Sequence, residues 1–296
     1  MVADMRRVVR LPVASSGALQ RIIREAVDMA GIVVVVFAMA HAVLGAPADA
    51  HAYWVASLGN PYRVSALGLA DAYLYSPAFL QVIAPLHLLP LPLFSLAFVT
   101  AGAVALYLLA GSWAGIAAAL FPPVFFELGY GNINLVLALA IVLAFRWPWL
   151  WSTVLLTKVT PGIGLLWFAV RREWRSLALA IGATLAVVVV SHSLAPGEWT
   201  AWINVLRTNS NGSTTILPRT AAAAVLVTWG ALTDRRWTVV AAATLATPAV
   251  SPVSISLLVG VLPLAAWTDG APARRVIGSQ GRQLLLRKNG REKSHG

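Results

Sequence analysis

The chain has 296 residues, of which 59% are hydrophobic and only 11% are charged. Soluble domains carry about 25% charged residues, so this chain has too few charges to cover a soluble globule of its size. The composition therefore excludes a soluble globular enzyme and a disordered chain, and it predicts a polytopic membrane protein. The chain has no cysteine, which excludes disulfide bonds and thiolate metal sites.

The net charge of +11 is concentrated in two tails. Five arginines lie within residues 1–25, and seven lysines and arginines lie within residues 269–296. Because basic residues favour the cytoplasmic side of a membrane, we expect a multi-pass protein of the cell membrane with both termini cytoplasmic. The tails lack the interleaved aromatic residues of a nucleic-acid-binding surface, so nucleic acid is not an expected partner. The predicted organisation is a basic segment over 1–26, an integral membrane domain over 27–267 and a basic tail over 268–296.

The predicted elements begin with an uncleaved transmembrane helix over 27–45, which is followed by a polar outer loop over 46–76. The later apolar segments are separated by breaks, among them Phe121-Pro122-Pro123 and Thr160-Pro161-Gly162. Several segments are shorter than the ~20 residues of a spanning helix, and such pieces are tolerated only where protein or a water-filled cavity covers the backbone. We expect an all-α bundle of about 10–12 transmembrane or part-spanning helices.

Short arginine-containing segments at Arg146, 171–175 and 234–236 mark predicted cytoplasmic loops. With these loops inside, four polar stretches share the outer face. They are the first outer loop over 46–76, the 131–134 turn, the 158–161 segment, and a second outer loop over 195–216 that continues to residue 219. This shared face is the main structural prediction from the sequence.

Two acidic side chains of the first outer loop are candidate functional residues. Asp49 lies just after the first predicted helix, where a carboxylate can act as a general base or a metal ligand. Alternatively, Asp49 is solvated or caps the helix that follows. Asp71 precedes the second predicted helix, where it can contact a ligand or cap that helix. Tyr75 belongs to the same aromatic stretch, which fits an interfacial belt.

Lys158 is the only lysine outside the C-terminal tail, and it lies between apolar runs. An ionisable residue at membrane depth is costly, which makes it a candidate functional residue. As a point charge it can bind a phosphate, or it can extend its ammonium to the interface without binding one. Glu127 follows two phenylalanines and is expected to be buried and paired, with a partner that the sequence does not identify.

Asparagines and arginines complete the candidate set. Asn132 and Asn134 lie at the start of a predicted helix, where their amides can bind sugar hydroxyls, or cap the helix and bond to a neighbouring one. Arg207 in the second outer loop and Arg219 after it can pair with a lipid phosphate or remain solvated. The histidines lack metal-ligand spacing, so no metal is expected, and the chain has no glycine-rich phosphate loop.

Three stretches resemble glycosyltransferase family 87, whose members are mannosyltransferases of the GT-C superfamily that use polyprenyl-phosphate sugars. They are the first outer loop from Asp49 through Tyr73-Leu74-Tyr75-Ser76-Pro77 to Ala84-Pro85-Leu86, the turn Gly131-Asn132-Ile133-Asn134-Leu135, and the stretch from Lys158-Val159-Thr160-Pro161-Gly162 to Arg171-Arg172-Glu173-Trp174-Arg175. The resemblance implies a GT-C-like helical bundle in the membrane, a lipid-linked sugar donor, a lipid or glycan acceptor, and no cofactor beyond the donor.

The resemblance also implies roles for individual residues. By position, Asp49 maps to the catalytic base, and Lys158 would hold the donor phosphate with Arg207 and Arg219 as helpers. The expected substrate-binding residues are Asp71, Tyr75, Asn132, Asn134, Asn209 and Asn211. The expected reaction is an inverting transfer of a hexose, mannose by this resemblance, from a polyprenyl-phosphate sugar on the outer face of the membrane.

Two alternatives stay open from the sequence. Short broken helices around a polar cavity also build transporter sites, so a non-catalytic transporter or lipid-binding protein is one alternative. The gathering of polar residues on one face, with few charges at mid-membrane, favours the enzyme. The other alternative is an inactive family member, because the family's late Ser-Pro-x-Ser-Trp segment appears here as Ser251-Pro252-Val253-Ser254-Ile255, without the tryptophan and the histidines after it.

Overall fold

The computed structural model describes residues 16–211, 215–248 and 251–268, and every regular element in these ranges is helical. The α-helices of these ranges are α1 (Ser16–Leu44), α2 (Ala48–Val55), α3 (Pro77–Ile83), α4 (Leu91–Ala110), α5 (Ala114–Leu120), α6 (Pro122–Tyr130), α7 (Asn134–Ala144), α8 (Trp151–Thr157), α9 (Leu166–Val170), α10 (Trp174–Leu194), α11 (Pro196–Asn211), α12 (Ile216–Leu232), α13 (Trp237–Leu245), α14 (Pro252–Ile255) and α15 (Val261–Thr268). Short 3-10 helices lie between them at Ala84–Leu88, Gly111–Trp113, Pro148–Leu150, Thr160–Leu165 and Ser256–Gly260. The prediction of an all-α polytopic membrane protein is confirmed.

Few of the helices are long enough to cross a bilayer alone. In the described ranges, three helical stretches have the length and apolarity to do so: Gly17–Val55, Leu91–Leu120 and Trp174–Leu194. A fourth crossing results if α6 and α7 count as one span that is bent by 110° at the turn between them. Helix α5 has seven residues and is therefore only about 10 Å long, a third of the ~30 Å hydrocarbon core. The other predicted segments are therefore part-spanning pieces, because proline and glycine breaks divide the apolar sequence.

Helix α1 begins at Ser16, well before the predicted start at residue 27. Its first turns carry Arg24, which pairs with Asp28 one helical turn later at 3.9 Å. The predicted start was too late because it followed the apolar residues alone. Arginine is a good helix former and i,i+4 ion pairs support a helix, but neither makes the sequence apolar. Farther along, Gly31 lies against the backbone of Gly115 in α5, so closely that a Cβ atom on Gly31 would overlap the Gly115 carbonyl. Small residues allow this approach of two membrane helices.

Both predicted proline breaks are confirmed. Helix α5 ends at Leu120 and α6 begins at Pro122, with Phe121 extended between them at φ −113° and ψ 92°. Proline fits the first turn of a helix because its missing N–H has no partner there in any case. The second break separates α8 from the 3-10 helix that begins at Thr160. Each break ends one short helix shortly before another begins.

The second predicted outer loop, 195–216, is largely a helix. Helix α11 covers Pro196–Asn211, so the loop expectation is wrong for most of this segment. The segment is rich in Asn, Ser and Thr, which lowers its hydropathy and resembles the composition of a loop. Its indole side chains are nevertheless buried: Trp199 is 7% exposed and Trp202 is 6% exposed. Helix α11 therefore packs its tryptophans onto the protein.

Two of the predicted cytoplasmic turns contact each other. Arg171, after α9, forms an ion pair with Asp234 at 2.9 Å and donates a hydrogen bond to the carbonyl of Ala231 at the end of α12. Arg172 and Asp234 both have positive φ, of 58° and 56°, as expected at tight helix-to-helix turns. The contact agrees with their assignment to one side of the membrane.

Candidate active site

One cavity of about 250 Å³ is lined by all four polar stretches that the sequence predicts on a single face. Helix α2 and the segment after it contribute Asp49 and Tyr75, and the α6–α7 turn contributes Asn132 and Asn134. The 158–161 segment and α11 complete the walls. The candidate base and the candidate phosphate-binding lysine therefore line the same cavity.

The α6–α7 turn holds Asn132 against Asp49. Helix α6 ends at Gly131, whose φ of 64° suits glycine and lets the chain turn back toward α7. The amide nitrogen of Asn132 donates to Oδ2 of Asp49 at 2.8 Å. Its amide oxygen accepts from the backbone nitrogens of Ile133 at 2.6 Å and Asn134 at 3.2 Å, at the start of α7. Asn132 thus bonds both to the start of α7 and to one oxygen of Asp49, which is the helix-start and interhelical alternative weighed for it. Sugar binding by Asn132 stays a prediction.

Asn134 connects the lysine to a buried carboxylate. Its amide oxygen accepts a hydrogen bond from Nζ of Lys158 at 2.5 Å. Its amide nitrogen donates to Oε2 of Glu127 at 3.0 Å and to the carbonyl of Val253 at 3.1 Å. Because each of these bonds requires one orientation of the amide, Asn134 is held with its oxygen toward Lys158.

The sequence predicts a buried, paired Glu127 without identifying its partner, and the structure shows several hydrogen-bond partners for its carboxylate. Its side chain is fully buried in α6. Oε1 accepts from the backbone nitrogen of Leu135 at 3.1 Å, and Oε2 accepts from the hydroxyl of Ser256 at 3.0 Å besides Asn134. Burial of a carboxylate is expensive unless hydrogen bonds and opposite charge compensate it. Lys158 supplies that charge through Asn134.

Lys158 follows α8 and lies outside the candidate spans. Its ammonium has three N–H groups, and within the described residues only Asn134 accepts from them. Two donors are therefore available to a ligand in the cavity. Burial lowers the pKa of Lys158, and the carboxylates of Glu127 and Asp49 act in the opposite direction. The carboxylates thus help to keep the buried ammonium charged.

Two buried tyrosines line the cavity beside Asp49. The hydroxyls of Tyr53 and Tyr75 are 2.8 Å apart, and both side chains are less than 10% exposed. Burial raises the pKa of the Tyr75 hydroxyl, and the negative charge of Asp49 acts in the same direction. Tyr75 therefore stays protonated and can donate a hydrogen bond.

Helix α11 covers the cavity and is tied to the first outer loop. The indole nitrogen of Trp202 donates to the carbonyl of Leu74 at 3.1 Å. Asn209 accepts from the backbone nitrogen of Leu67 at 2.8 Å and donates to the carbonyl of Ser65 at 2.8 Å. Near its start, Glu198 accepts a hydrogen bond from the backbone nitrogen of a loop glycine. Asn209 lines the cavity as predicted, but its amide is already bonded to the loop backbone.

The family model of glycosyltransferase family 87 matches residues 73–218. This match covers just under half of the 296 residues, and over that range the chain is similar to the family. The matched range includes Tyr75, Asn132, Asn134, Lys158 and Asn209, whereas Asp49 precedes it. No curated protein and no solved structure matches the chain. The match indicates a membrane glycosyltransferase, with a sugar donor and an acceptor as its substrates.

Several predicted site residues lie away from the cavity. Asp71 bonds through Oδ1 to Nδ1 of His51 at 2.6 Å and lines a separate pocket of about 90 Å³. Arg219 donates to the carbonyls of Thr215 and Pro248, and it does not itself line the cavity. Arg207 is exposed on α11, also outside the cavity lining. The side chain of Asn211 lies outside the described residues.

Other residues that line the cavity were not predicted. Ser251 and Ser254 line the cavity, and their side chains and backbones bond reciprocally to start α14. This segment lacks the tryptophan named in the sequence comparison above. Its Ser-Pro-x-Ser pattern is typical of the start of a helix, so the start of α14 could have been predicted from it. Thr160 and Trp202 also line the cavity. The place of Thr160 in the site could have been predicted, because it lies two residues after Lys158. The place of Trp202 could not, because it depends on the packing of α11 against the first outer loop.

Proposed function

We propose that this protein transfers a hexose, mannose in the first instance, from a polyprenyl-phosphate sugar to a hydroxyl of a lipid or glycan acceptor. The reaction proceeds with inversion on the outer face of the cell membrane, in a GT-C-like bundle whose termini are both cytoplasmic. The observation that carries this proposal is the shared cavity, where a carboxylate and an ammonium are linked through Asn132 and Asn134. Neither a soluble sugar nucleotide nor a glycine-rich phosphate loop is needed for this arrangement.

Asp49 acts as the base. Oδ2 is held by Asn132, and within the described residues Oδ1 has no hydrogen-bond partner, so it is available to an acceptor hydroxyl. As the acceptor oxygen forms its bond to the anomeric carbon, Asp49 takes the hydroxyl proton and the bond from that carbon to the phosphate oxygen breaks. The Asn132 bond fixes the direction of the carboxylate, which is the positioning that general base catalysis requires.

Lys158 binds the phosphate of the donor. Its two remaining N–H donors can reach phosphate oxygens while Asn134 fixes the third. The electron pair of the broken bond stays on the leaving lipid phosphate, and a preorganised cation stabilises the charge that develops there. A phosphate leaving group needs no general acid, so one carboxylate is sufficient, unlike the carboxylate pair of glycoside hydrolases.

The cavity has two kinds of wall, which suits a lipid-linked sugar. The lining includes the apolar side chains of Leu67, Leu74, Val205 and Leu206 as well as the polar side chains of Asn132, Asn134 and Lys158. A polar wall binds the sugar and phosphate through hydrogen bonds, and an apolar wall accommodates the first part of a prenyl chain.

The test is transfer of radiolabelled mannose from polyprenyl-phosphate-mannose to membrane acceptors, with purified protein in lipid nanodiscs. Asp49→Asn preserves the shape and can still accept from Asn132, but it cannot take a proton. Loss of a general base costs typically 10²–10⁴-fold, so we expect the initial rate to fall by about that factor. Retention of tryptophan fluorescence and of the size-exclusion profile shows that the variant is folded.

The matched comparison is Asp71→Asn, which changes the other acid of the first outer loop. Asp71 bonds to His51 and lies outside the cavity, so we expect this variant to keep most of the transfer rate. Full activity of Asp49→Asn together with loss of activity in Asp71→Asn would identify Asp71, instead of Asp49, as the catalytic base. Absence of transfer by the wild type with every lipid-linked hexose would overturn the proposed function.

A further inference from the structure

We propose that the hydroxyl of Thr160 completes the phosphate subsite by donating a hydrogen bond to a phosphate oxygen of the donor lipid, next to Lys158. The inference rests on the proposed function for the identity of the ligand. It assigns a second binding residue to a subsite in which only the lysine had a role. The chemical class that the subsite takes is a polyprenyl phosphate, with or without its sugar.

The first observation is that the Thr160 hydroxyl is buried without a partner. Among the described residues, three buried side-chain atoms make no hydrogen bond: Oγ of Ser95, Oγ1 of Thr160 and Oε2 of Glu198. A buried polar group without a partner is costly, and native proteins retain few of them. Of the three residues, only Thr160 lines the candidate active-site cavity. A ligand in that cavity would supply the missing partner.

The second observation is that Thr160 does not make the bond that other threonines of this protein make. Threonines in or at the end of helices donate to the carbonyl four residues earlier, as Thr157, Thr184, Thr220, Thr233 and Thr244 do. For Thr160, that carbonyl belongs to Leu156, which accepts from the hydroxyl of Ser76 at 2.5 Å. Helix α8 also ends at Thr157, and the extended backbone of Lys158 interrupts the helical spacing before Thr160.

The backbone keeps Thr160 close to Lys158. Lys158 is extended, with φ −137° and ψ 108°, and its backbone nitrogen bonds to the carbonyl of Val154 at 2.8 Å. Pro161 then fixes the backbone after Thr160, and Gly162 closes the turn by bonding to the carbonyl of Val159 at 3.0 Å. A short, rigid connection therefore carries both side chains, and Lys158, Val159 and Thr160 all line the cavity.

The charge of the site favours phosphate over a sugar hydroxyl as the partner. Lys158 has two unused donors in the same cavity, and cations and hydroxyl donors together suit an anionic oxygen. A hydrogen bond to a charged group is also stronger than one to a neutral hydroxyl. Thr160 is therefore expected to act with Lys158 on one phosphate group.

The experiment compares Thr160→Val with Thr160→Ser. Valine keeps the shape of threonine and removes the hydroxyl, whereas serine keeps the hydroxyl. The probe is decaprenyl monophosphate, and its affinity is measured by quenching of tryptophan fluorescence in nanodiscs. We expect Thr160→Val to weaken binding by about tenfold or more, the usual effect of losing a hydrogen bond to a charged group. Thr160→Ser should bind within about threefold of the wild type.

A stability readout separates this role from a structural one. Without ligand, Thr160→Val should keep or raise the thermal midpoint, because it removes an unsatisfied buried hydroxyl. Ser95→Ala is the matched control, because it removes the unpartnered hydroxyl of a fully buried residue in α4, outside the cavity. Its thermal midpoint should also be unchanged or raised, and its affinity for decaprenyl monophosphate should be unchanged. A hydroxyl with a structural partner would instead make Thr160→Val less stable.

Three results would overturn the inference: unchanged affinity of Thr160→Val, a loss of affinity that Thr160→Ser does not restore, or a lowered midpoint of ligand-free Thr160→Val. Absence of decaprenyl monophosphate binding by the wild type would also overturn it. Hydroxyl-dependent binding without any sugar transfer would leave the subsite standing and reject the proposed transferase reaction. The two proposals therefore fail in different measurements.

Discussion

Asn134 joins groups that come from three separate parts of the chain. It accepts from Lys158 after α8 and donates to Glu127 in α6 and to the backbone carbonyl of Val253 in α14. A neutral amide between an ammonium and a carboxylate keeps the two charges near each other without direct contact. The lysine thus has compensation for its burial and still has donors for a substrate.

Glu127→Gln tests whether this buried carboxylate organises the site. One oxygen accepts from Leu135, and the other accepts from Asn134 and Ser256. A glutamine turns one acceptor into a donor, so at least one buried N–H or O–H loses its partner. We expect a loss of about 1–3 kcal/mol in the free energy of unfolding, measured by thermal denaturation in detergent.

The control for this prediction is Glu173→Gln. Glu173 is 40% exposed and pairs with Arg171, and exposed pairs contribute only about 0–1 kcal/mol. If the two glutamine variants unfold at the same temperature, Glu127 is not the bonded, buried group described above.

Site residues with a local signal could be predicted, and those with distant partners could not. Lys158 is conspicuous as a charge between apolar runs, and Asn132 and Asn134 interrupt an apolar sequence. The burial of Glu127 was expected from its neighbours. Its bond to Ser256 spans 129 positions of sequence, and no local pattern reports a contact of that kind.

At the scale of elements, the α6–α7 turn brings the site together. Gly131 lies beside Ala50 of α2, one residue after Asp49, and a Cβ atom on Gly131 would lie 2.8 Å from the Cβ of Ala50. Positive φ and this close approach both require glycine. The contact sets the distance between Asn132 and the carboxylate that it holds.

Gly131→Ala is therefore expected to impair both stability and transfer. The left-handed conformation costs about 1–2 kcal/mol for a residue with a Cβ atom, and the overlap with Ala50 adds to it. Separation of Asn132 from Asp49 should lower kcat more than it raises KM for the donor. The measurements are thermal denaturation and mannose transfer at varied donor concentration.

Gly129→Ala provides the matched control two residues earlier. Its Cβ would meet no atom within 4 Å, and it lies inside α6 with ordinary helical backbone. Alanine is favoured over glycine by about 0.5–1 kcal/mol inside a helix, so this variant should be at least as stable as the wild type. Equal behaviour of the two alanine variants would contradict the role given to Gly131.

Element boundaries were predictable where proline or glycine marks them and less so elsewhere. The breaks before Pro122 and before Pro161 were found because proline limits the backbone directly. Helix α11 was taken for a loop because its polar residues outnumber its apolar ones. Its helical form depends on burying Trp199 and Trp202 against other elements, and this tertiary effect overrides the local composition.

At the scale of the whole molecule, polar groups collect at two places. One is the cavity with Asp49 and Lys158, and the other is the contact between the turns at Arg171 and Asp234. Because basic loops favour the inside of a membrane, we propose that the second place is cytoplasmic and that the cavity opens to the outer face.

The sidedness can be measured without first removing any cysteine, because the chain has none. Ala66→Cys places a thiol in the exposed first outer loop, and Thr233→Cys places one at the exposed turn before Asp234. We expect a membrane-impermeant maleimide to label Ala66→Cys in intact cells and Thr233→Cys only after permeabilisation. The reverse pattern would place the cavity on the cytoplasmic side.

The bend between α6 and α7 has a consequence for protein engineering. Its two helical arms are held by packing within the helical bundle, whereas the apex from Gly131 to Asn134 supplies groups to the cavity. Rigid scaffolds with functional turns are the arrangements in which specificity is altered most readily. A library for new acceptors should therefore vary the cavity positions that face the apex from α11 and the first outer loop, and leave the arms unchanged.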